Sequence, residues 1–190
     1  MNQPAAYTDG SRLAVCFEHA FDAELCNRLK ASIRLQDRLS AIVCARYALV
    51  RWVPPQTCGD LDRAIALFPA TRLFDLARRS GAIFWASTIA NIVRAPQVAM
   101  LHQQIEEPVC SFALANRDLA GPEQAIEPLD DVGLRIADDG WRCLGAWCQA
   151  MPAGVGTRVR LKLAANDLLD RAPESPFREA GPSIVRRAAG

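Results

Sequence analysis

The chain has 190 residues, of which 51% are hydrophobic, a formal net charge of +1 and seven cysteines. That much apolar material builds one buried core and excludes a chain disordered throughout. Near-neutrality excludes a global pull toward nucleic acid or anionic membrane, and scattered, odd-numbered cysteines without a CxxC pair point to free thiols in a reducing compartment.

Residues 1–12 read as a flexible tail, and the polar start MNQPAAYTDG carries no signal-peptide pattern. Residues 13–21 are short and apolar, and strand and helix both stay open. Asp22 is placed to cap a helix bearing Leu25, Leu29 and Ile33. Leu39, Ile42, Val43, Tyr47 and Val50 repeat at helical spacing, and Pro54-Pro55 stops that helix. After a loop over residues 56–60, a brief helix is expected over 61–67. Pro69 then opens a long helix through Leu73, Leu76, Phe84, Trp85, Ile89 and Val93. Gly81 inside it either kinks it or admits a close neighbour. The most apolar window, residues 81–93, is 13 residues long. A membrane span needs about 20, so this window reads as a buried helix. Pro96 and Pro108 open two more helices. Residues 121–140 are acidic and weakly patterned, and are expected to be a loop with a short helix and the first place for disorder.

Residues 140–163 (GWRCLGAWCQAMPAGVGTRVRLKL) organise the rest. Trp141, Leu144 and Cys148, with Trp147 beside them, form one apolar helix face. Asp138 or Asp139 is the expected N-cap, and Met151-Pro152 ends the helix. The alternating run Arg158-Val159-Arg160-Leu161-Lys162-Leu163 suits a half-buried strand. A helix or extended turn is preferred, because a lone strand in a helical chain has few pairing partners. Residues 166–190, with Pro173, Pro176 and Pro182, are expected to be a poorly packed tail. The predicted fold is therefore mainly α: a single irregular helical domain over 13–165 with loose N- and C-terminal tails. Charge is zoned along it, with net +5 over residues 11–100, −7 over 101–140 and +4 over 141–190.

No catalytic constellation emerges. His102 lies on the stripe Val98–Leu101–Ile105 and reads as a core or boundary residue. Cys16-x-x-His19 lacks the second ligand pair of a zinc site, and Cys143 and Cys148 have the wrong spacing for one. Phosphate-loop, GxGxxG and GxSxG motifs are absent. Glu106-Glu107, Asp130-Asp131 and Asp138-Asp139 read as solvated pairs, and Asp130-Asp-Val-Gly lacks the alternating oxygens of a calcium loop. No catalytic, cofactor-binding or metal-binding residue is assigned. Arg28, Lys30, Arg34, Arg38, Arg78-Arg79 and the 158–162 run would suit phosphates, yet the aromatics are not interleaved with them. A helical nucleic-acid-binding or regulatory protein is the alternative to a non-enzymatic assembly part. The four tryptophans suit an assembly part, since aromatic and arginine side chains anchor interfaces, although each also suits a core.

The run Gly140-Trp141-x-Cys143-Leu144-x-x-Trp147, then Pro152, then Arg158-x-Arg160-Leu161-Lys162-Leu163, resembles the C-terminal signature of the SctK/YscK family of bacterial type III secretion proteins. Arg51-Trp52-Val53-Pro54-Pro55 and Leu67-Phe68-Pro69 follow the order of that family, and residues 40–165 are similar in particular to its plant-associated, rhizobial branch, including nodulation-locus members. The chain departs from the pattern at Val53, where a histidine precedes proline, and at Ala164-Ala165, where a proline is common. The resemblance implies a non-catalytic helical adaptor of the cytoplasmic sorting platform of an injectisome, without cofactor. It would join the cytoplasmic domain of the inner-membrane ring protein SctD to the pod protein SctQ, and through the pods connect to SctL and the ATPase SctN. It would sit at the cytoplasmic face of the inner membrane by protein contacts alone. Arg158, Arg160, Lys162 and Trp147 are the expected partner-binding residues, with a purely structural Arg160 as the competing reading. The acidic segment 106–139 is expected to meet a different partner from the basic run.

Overall fold

The computed structural model describes residues 2–53 and 58–190, and every regular element among them is helical. The mainly α expectation holds. Pro54-Pro55 and the first two residues of the loop that follows lie outside the described residues.

The first helices are α1 (Pro4–Tyr7), α2 (Gly10–Val15), α3 (Ala23–Lys30) and α4 (Gln36–Arg46). Asp22 caps α3 as expected, its carboxylate accepting from Leu25 N at 2.7 Å. Asp9 caps α2 in the same way through Ser11 N. The tail expected over residues 1–12 is therefore much shorter. Arg12 is buried and donates through Nε to Leu163 O at 2.6 Å. Asp9 N donates to Leu161 O at 2.7 Å. Leu13, Ala14, Cys26, Val43 and Leu49 form a small N-terminal core completed by Leu161 from the other end of the chain.

Next come α5 (Asp60–Leu67), α6 (Ala70–Phe84), α7 (Ala86–Ala90), α8 (Ala95–Gln104) and α9 (Glu107–Ala115). The long helix expected after Pro69 breaks at Trp85, whose φ of −88° and ψ of 2° leave the helical path. The break turns the Trp85 indole toward α10 (Val132–Ala150), where its Nε1–H meets the Asp139 carboxylate at 2.7 Å.

α10 is the spine of the main core. Val132, Ile136, Gly140, Cys143, Leu144 and Trp147 recur at three- and four-residue steps and are all buried. The apolar stripe starts at Val132, so the helix begins one to two turns before the expected cap. Asp131 is the N-cap residue, and Asp139 is a buried mid-helix residue. α6 crosses α10 at Gly81 and Gly140. Gly81 thus serves a close approach, without a kink.

Past Met151, in extended conformation before Pro152, lie α11 (Ala153–Leu161), α12 (Asp167–Asp170) and α13 (Phe177–Ala189). The basic run is helical to Leu161, which settles the choice against a strand. The C-terminal tail is also shorter than expected: Ile184 and Val185 of α13 are fully buried in the main core, and Leu169 of α12 packs there too. Pro182 does not end α13, which continues to Ala189.

In the acidic loop between α9 and α10, one side chain gathers several carbonyls, alongside bonds with Thr88, Asn91 and Gln104. Arg135 donates to Ala125 O at 2.6 Å, Ile126 O at 2.7 Å, Pro128 O at 2.5 Å and Asp131 Oδ1 at 3.0 Å. Five guanidinium donors in a fixed fork suit such convergence. Its guanidinium carbon also lies 5.3 Å from the Trp85 ring centre.

Candidate partner-docking surface

The four residues expected to bind partners lie mostly inside the fold. Trp147 is fully buried, and its Nε1–H donates to Asp62 Oδ1 at 2.9 Å. Asp62 is also paired with Arg186, so this tryptophan sits in a closed Trp–Asp–Arg arrangement linking α10, α5 and α13. Arg158 is buried. It donates to Gly154 O at 2.8 Å and to Val50 O, and stands 5.4 Å from the Trp52 ring centre. Lys162 is buried at the end of α5, donating 2.7 Å bonds to Ala66 O and Phe68 O. The ammonium satisfies carbonyls that a helix C-terminus leaves open. Burial pulls the Lys162 pKa down to about 8. Arg160 is half-buried and lines a surface cleft beside Thr157 and Asp170, with Nη2 3.3 Å from Gly145 O. The run joins the N-terminal helices to the main core, so Arg158 and Lys162 are not a partner-facing surface in this structure. Packing selects alternating charge here, because each long side chain reaches back to a carbonyl across the joint.

The other expected sites resolve as follows. His102 is exposed, contrary to the core or boundary reading. Cys16 and His19 gain no third ligand; among the described residues no cluster of three or more metal-ligating side chains forms. All seven cysteines are free. Burial pushes the Cys143 thiol far up and the Cys148 thiol to about 12, which leaves both protonated and unreactive near neutrality. The Asp139 carboxyl is also raised by burial, against the lowering effect of the Trp85 indole and Arg142.

An aromatic pair across two long helices reaches solvent: Phe74 of α6 and Trp141 of α10. Phe74 is 49% exposed, Trp141 is half-buried, and their rings meet edge to face at 5.1 Å. Leu134 extends the patch. It is 71% exposed and lies seven residues before Trp141 on the same helix, hence on the same face about 10 Å away. Asp138, one turn on from Leu134, and Asp130, in the short 3-10 turn just before α10, are both exposed. Arg78, one turn along α6 from Phe74, is held by Glu106 at 2.9 Å. The result is an apolar ridge over the α6–α10 crossing, set in carboxylates. Sequence spacing put Trp141 and Trp147 in one apolar stripe without telling them apart. The Phe74–Trp141 contact separates them, and it joins residues more than 60 positions apart in the chain.

Among the described residues no helix is long and apolar enough to cross a membrane. No family model matches the chain, and no solved structure matches it. The relatives that do match are rhizobial nodulation proteins, as the resemblance in the sequence implies. The chain is similar to the nodulation protein NolU of Rhizobium fredii and to that of Sinorhizobium fredii (strain NBRC 101917 / NGR234), in each case 28% identical over 178 residues that cover 92% of this chain and 77% of the relative.

Proposed function

We propose that this protein is a non-catalytic helical adaptor in the cytoplasmic sorting platform of a type III secretion system, joining the inner-membrane ring protein SctD to the pod protein SctQ and through it to SctL and the SctN ATPase. The similarity to NolU along nearly the whole chain carries this reading. The motifs that resemble the SctK/YscK family add to it. They are the ones that set the fold: Trp147 on Asp62, and Arg158 and Lys162 on the carbonyls of the joint. An adaptor needs a stable body and exposed anchors, and the Phe74–Trp141 ridge supplies anchors of the type that dominate interface energies. Modest affinities on separate faces combine through multivalency in an assembled platform. The nucleic-acid alternative loses two of its cations, since Arg158 and Lys162 are buried on backbone carbonyls.

Reconstitution tests this reading. The purified chain, mixed with the pod protein and with the cytoplasmic domain of the ring protein from the same cell, is expected to give pairwise complexes and one ternary complex by light scattering after size exclusion. Three separate peaks at micromolar concentration would remove the adaptor role.

A further inference from the structure

The ridge over α6 and α10 combines two properties that together define an occupant. Its apolar line, exposed Leu134 and Phe74 with half-buried Trp141 between the helices, reaches solvent, and its charges are unbalanced. Arg78, the cation beside the aromatic pair, is already paired with Glu106. Glu107, Asp130 and Asp138 are exposed and make no ion pair or hydrogen bond among the described residues. Other carboxylates nearby are spent internally, namely Asp131 on Arg135, Asp139 on Arg142 and Trp85, and Asp118 on Arg187, while Asp75 beside Phe74 is exposed. The residual field on the ridge is therefore negative.

We propose that this ridge seats a basic amphipathic helix of a protein partner. Leu134 and Trp141 are two helical turns apart, so apolar side chains at i and i+7 of a helix lying along α10 meet both, with Phe74 widening the contact at the Trp141 end. Lysines or arginines bordering that stripe then face Asp130, Asp138 and Glu107. The carboxylates contribute mainly encounter rate and register, while the apolar anchors hold the complex. The same carboxylates repel phosphate, which disfavours nucleic acid or an anionic lipid surface at this face. The inference rests on the adaptor reading and names the chemistry of one of its partner contacts.

The test places the photoreactive residue p-benzoylphenylalanine at position 134 of the full chain in its native cell, with the same probe at Ile33, which is 90% exposed in the N-terminal helices, as control. The expected result is a light-dependent crosslink at 134, absent at 33, to a protein segment of net positive charge with apolar residues at three- and four-residue spacing. Asp130→Arg with Asp138→Arg is expected to reduce it at least tenfold. Should that pair lower the melting temperature, Asp130→Asn with Asp138→Asn keeps shape while removing charge, and at least a threefold loss is expected. No crosslink at 134, a crosslink to an acidic or uncharged segment, to nucleic acid or to lipid, or one indifferent to the charge variants would overturn the proposal. The two readings separate cleanly. Reconstituted pod and ring complexes without a crosslink at 134 leave the adaptor and sink the ridge. A charge-sensitive crosslink to a basic helix of a protein unrelated to secretion does the reverse.

Discussion

Gly81 and Gly140 meet backbone to backbone where α6 crosses α10. A Cβ on Gly81 would lie 1.9 Å from Ile136 O, and one on Gly140 would lie 2.1 Å from Ala77 O. Neither acceptor is a flexible side chain, so the helices have to separate. Gly81→Ala and Gly140→Ala are each expected to lower stability by about 2–4 kcal/mol in urea unfolding, as overpacked cores do. Gly59→Ala, where the nearest such atom is 4.0 Å away, is expected to cost no more than about 1 kcal/mol, the loss of a favoured N-cap residue. Equal effects at all three positions would refute the close crossing.

Arg12 ties the N-terminal helices to the other end of the chain. It reaches Leu163 O, Ala164 O at 3.2 Å, and both Asp170 oxygens at 3.0 Å. Arg12→Ala is expected to speed amide exchange in α1 to α4 at least tenfold while leaving the centre of α10 unchanged, because local opening draws on the weakest boundary. Arg12→Lys is expected to recover little, since an ammonium lacks the planar fork. Exchange that rises uniformly along the chain would mean that the N-terminal helices are not a separable unit.

Lys162 gives stability a pH dependence. Its folded pKa is lowered to about 8 by burial, from 10.5 for the free side chain. Between these values the unfolded chain binds more protons, so this group makes stability rise with pH; below about 8 both states hold the proton and its contribution is flat. Between pH 8 and 9 the rise runs against a fall from the buried thiols, Cys143 and Cys148 foremost, as their unfolded counterparts begin to ionise, so it is read against a variant that keeps every thiol. The stability difference between the native chain and Lys162→Met is expected to grow by about 1 kcal/mol across that unit, with the variant lower in absolute level. An unchanged slope in the variant would show that Lys162 titrates normally.

Asp62 holds two groups at once, the Trp147 indole at 2.9 Å and the Arg186 guanidinium. Asp62→Ala strands a buried N–H and is expected to cost about 2–4 kcal/mol. Asp62→Asn retains an acceptor and is expected to cost about half of that. Equal losses in the two variants, measured by chemical unfolding, would mean that the charge on Arg186 matters more than the indole bond.

Much of the helical layout was legible from periodicity and caps. Asp22, Pro69, Pro96, Pro108 and Pro152 mark helix boundaries through local backbone chemistry, which a linear sequence displays. The breaks that depend on tertiary partners were not legible. Trp85 ends α6 because its indole finds Asp139, 54 residues away. Asp139 looked like a cap for the same reason, since a short carboxylate near a helix start is ambiguous until its donor is known. The termini looked loose because their composition is polar and proline-rich, yet Arg12 and α13 are fixed by contacts with distant backbone. The basic run looked like a surface because burial of Arg158 and Lys162 depends on carbonyls at Val50, Ala66 and Phe68, which no local pattern announces. Trp141 is the part of the candidate surface that lay within the organising stretch, and its exposure follows from the path of α6.

The adaptor role is tested most directly by affinity purification of the tagged full chain from its own cell in mild detergent, with mass spectrometry of what comes with it. Joint recovery of a pod protein and an inner-membrane ring protein, lost when the ring gene is deleted for the ring arm alone, is the predicted result. Recovery of nucleic acid or metabolic enzymes, with no secretion component, would contradict it.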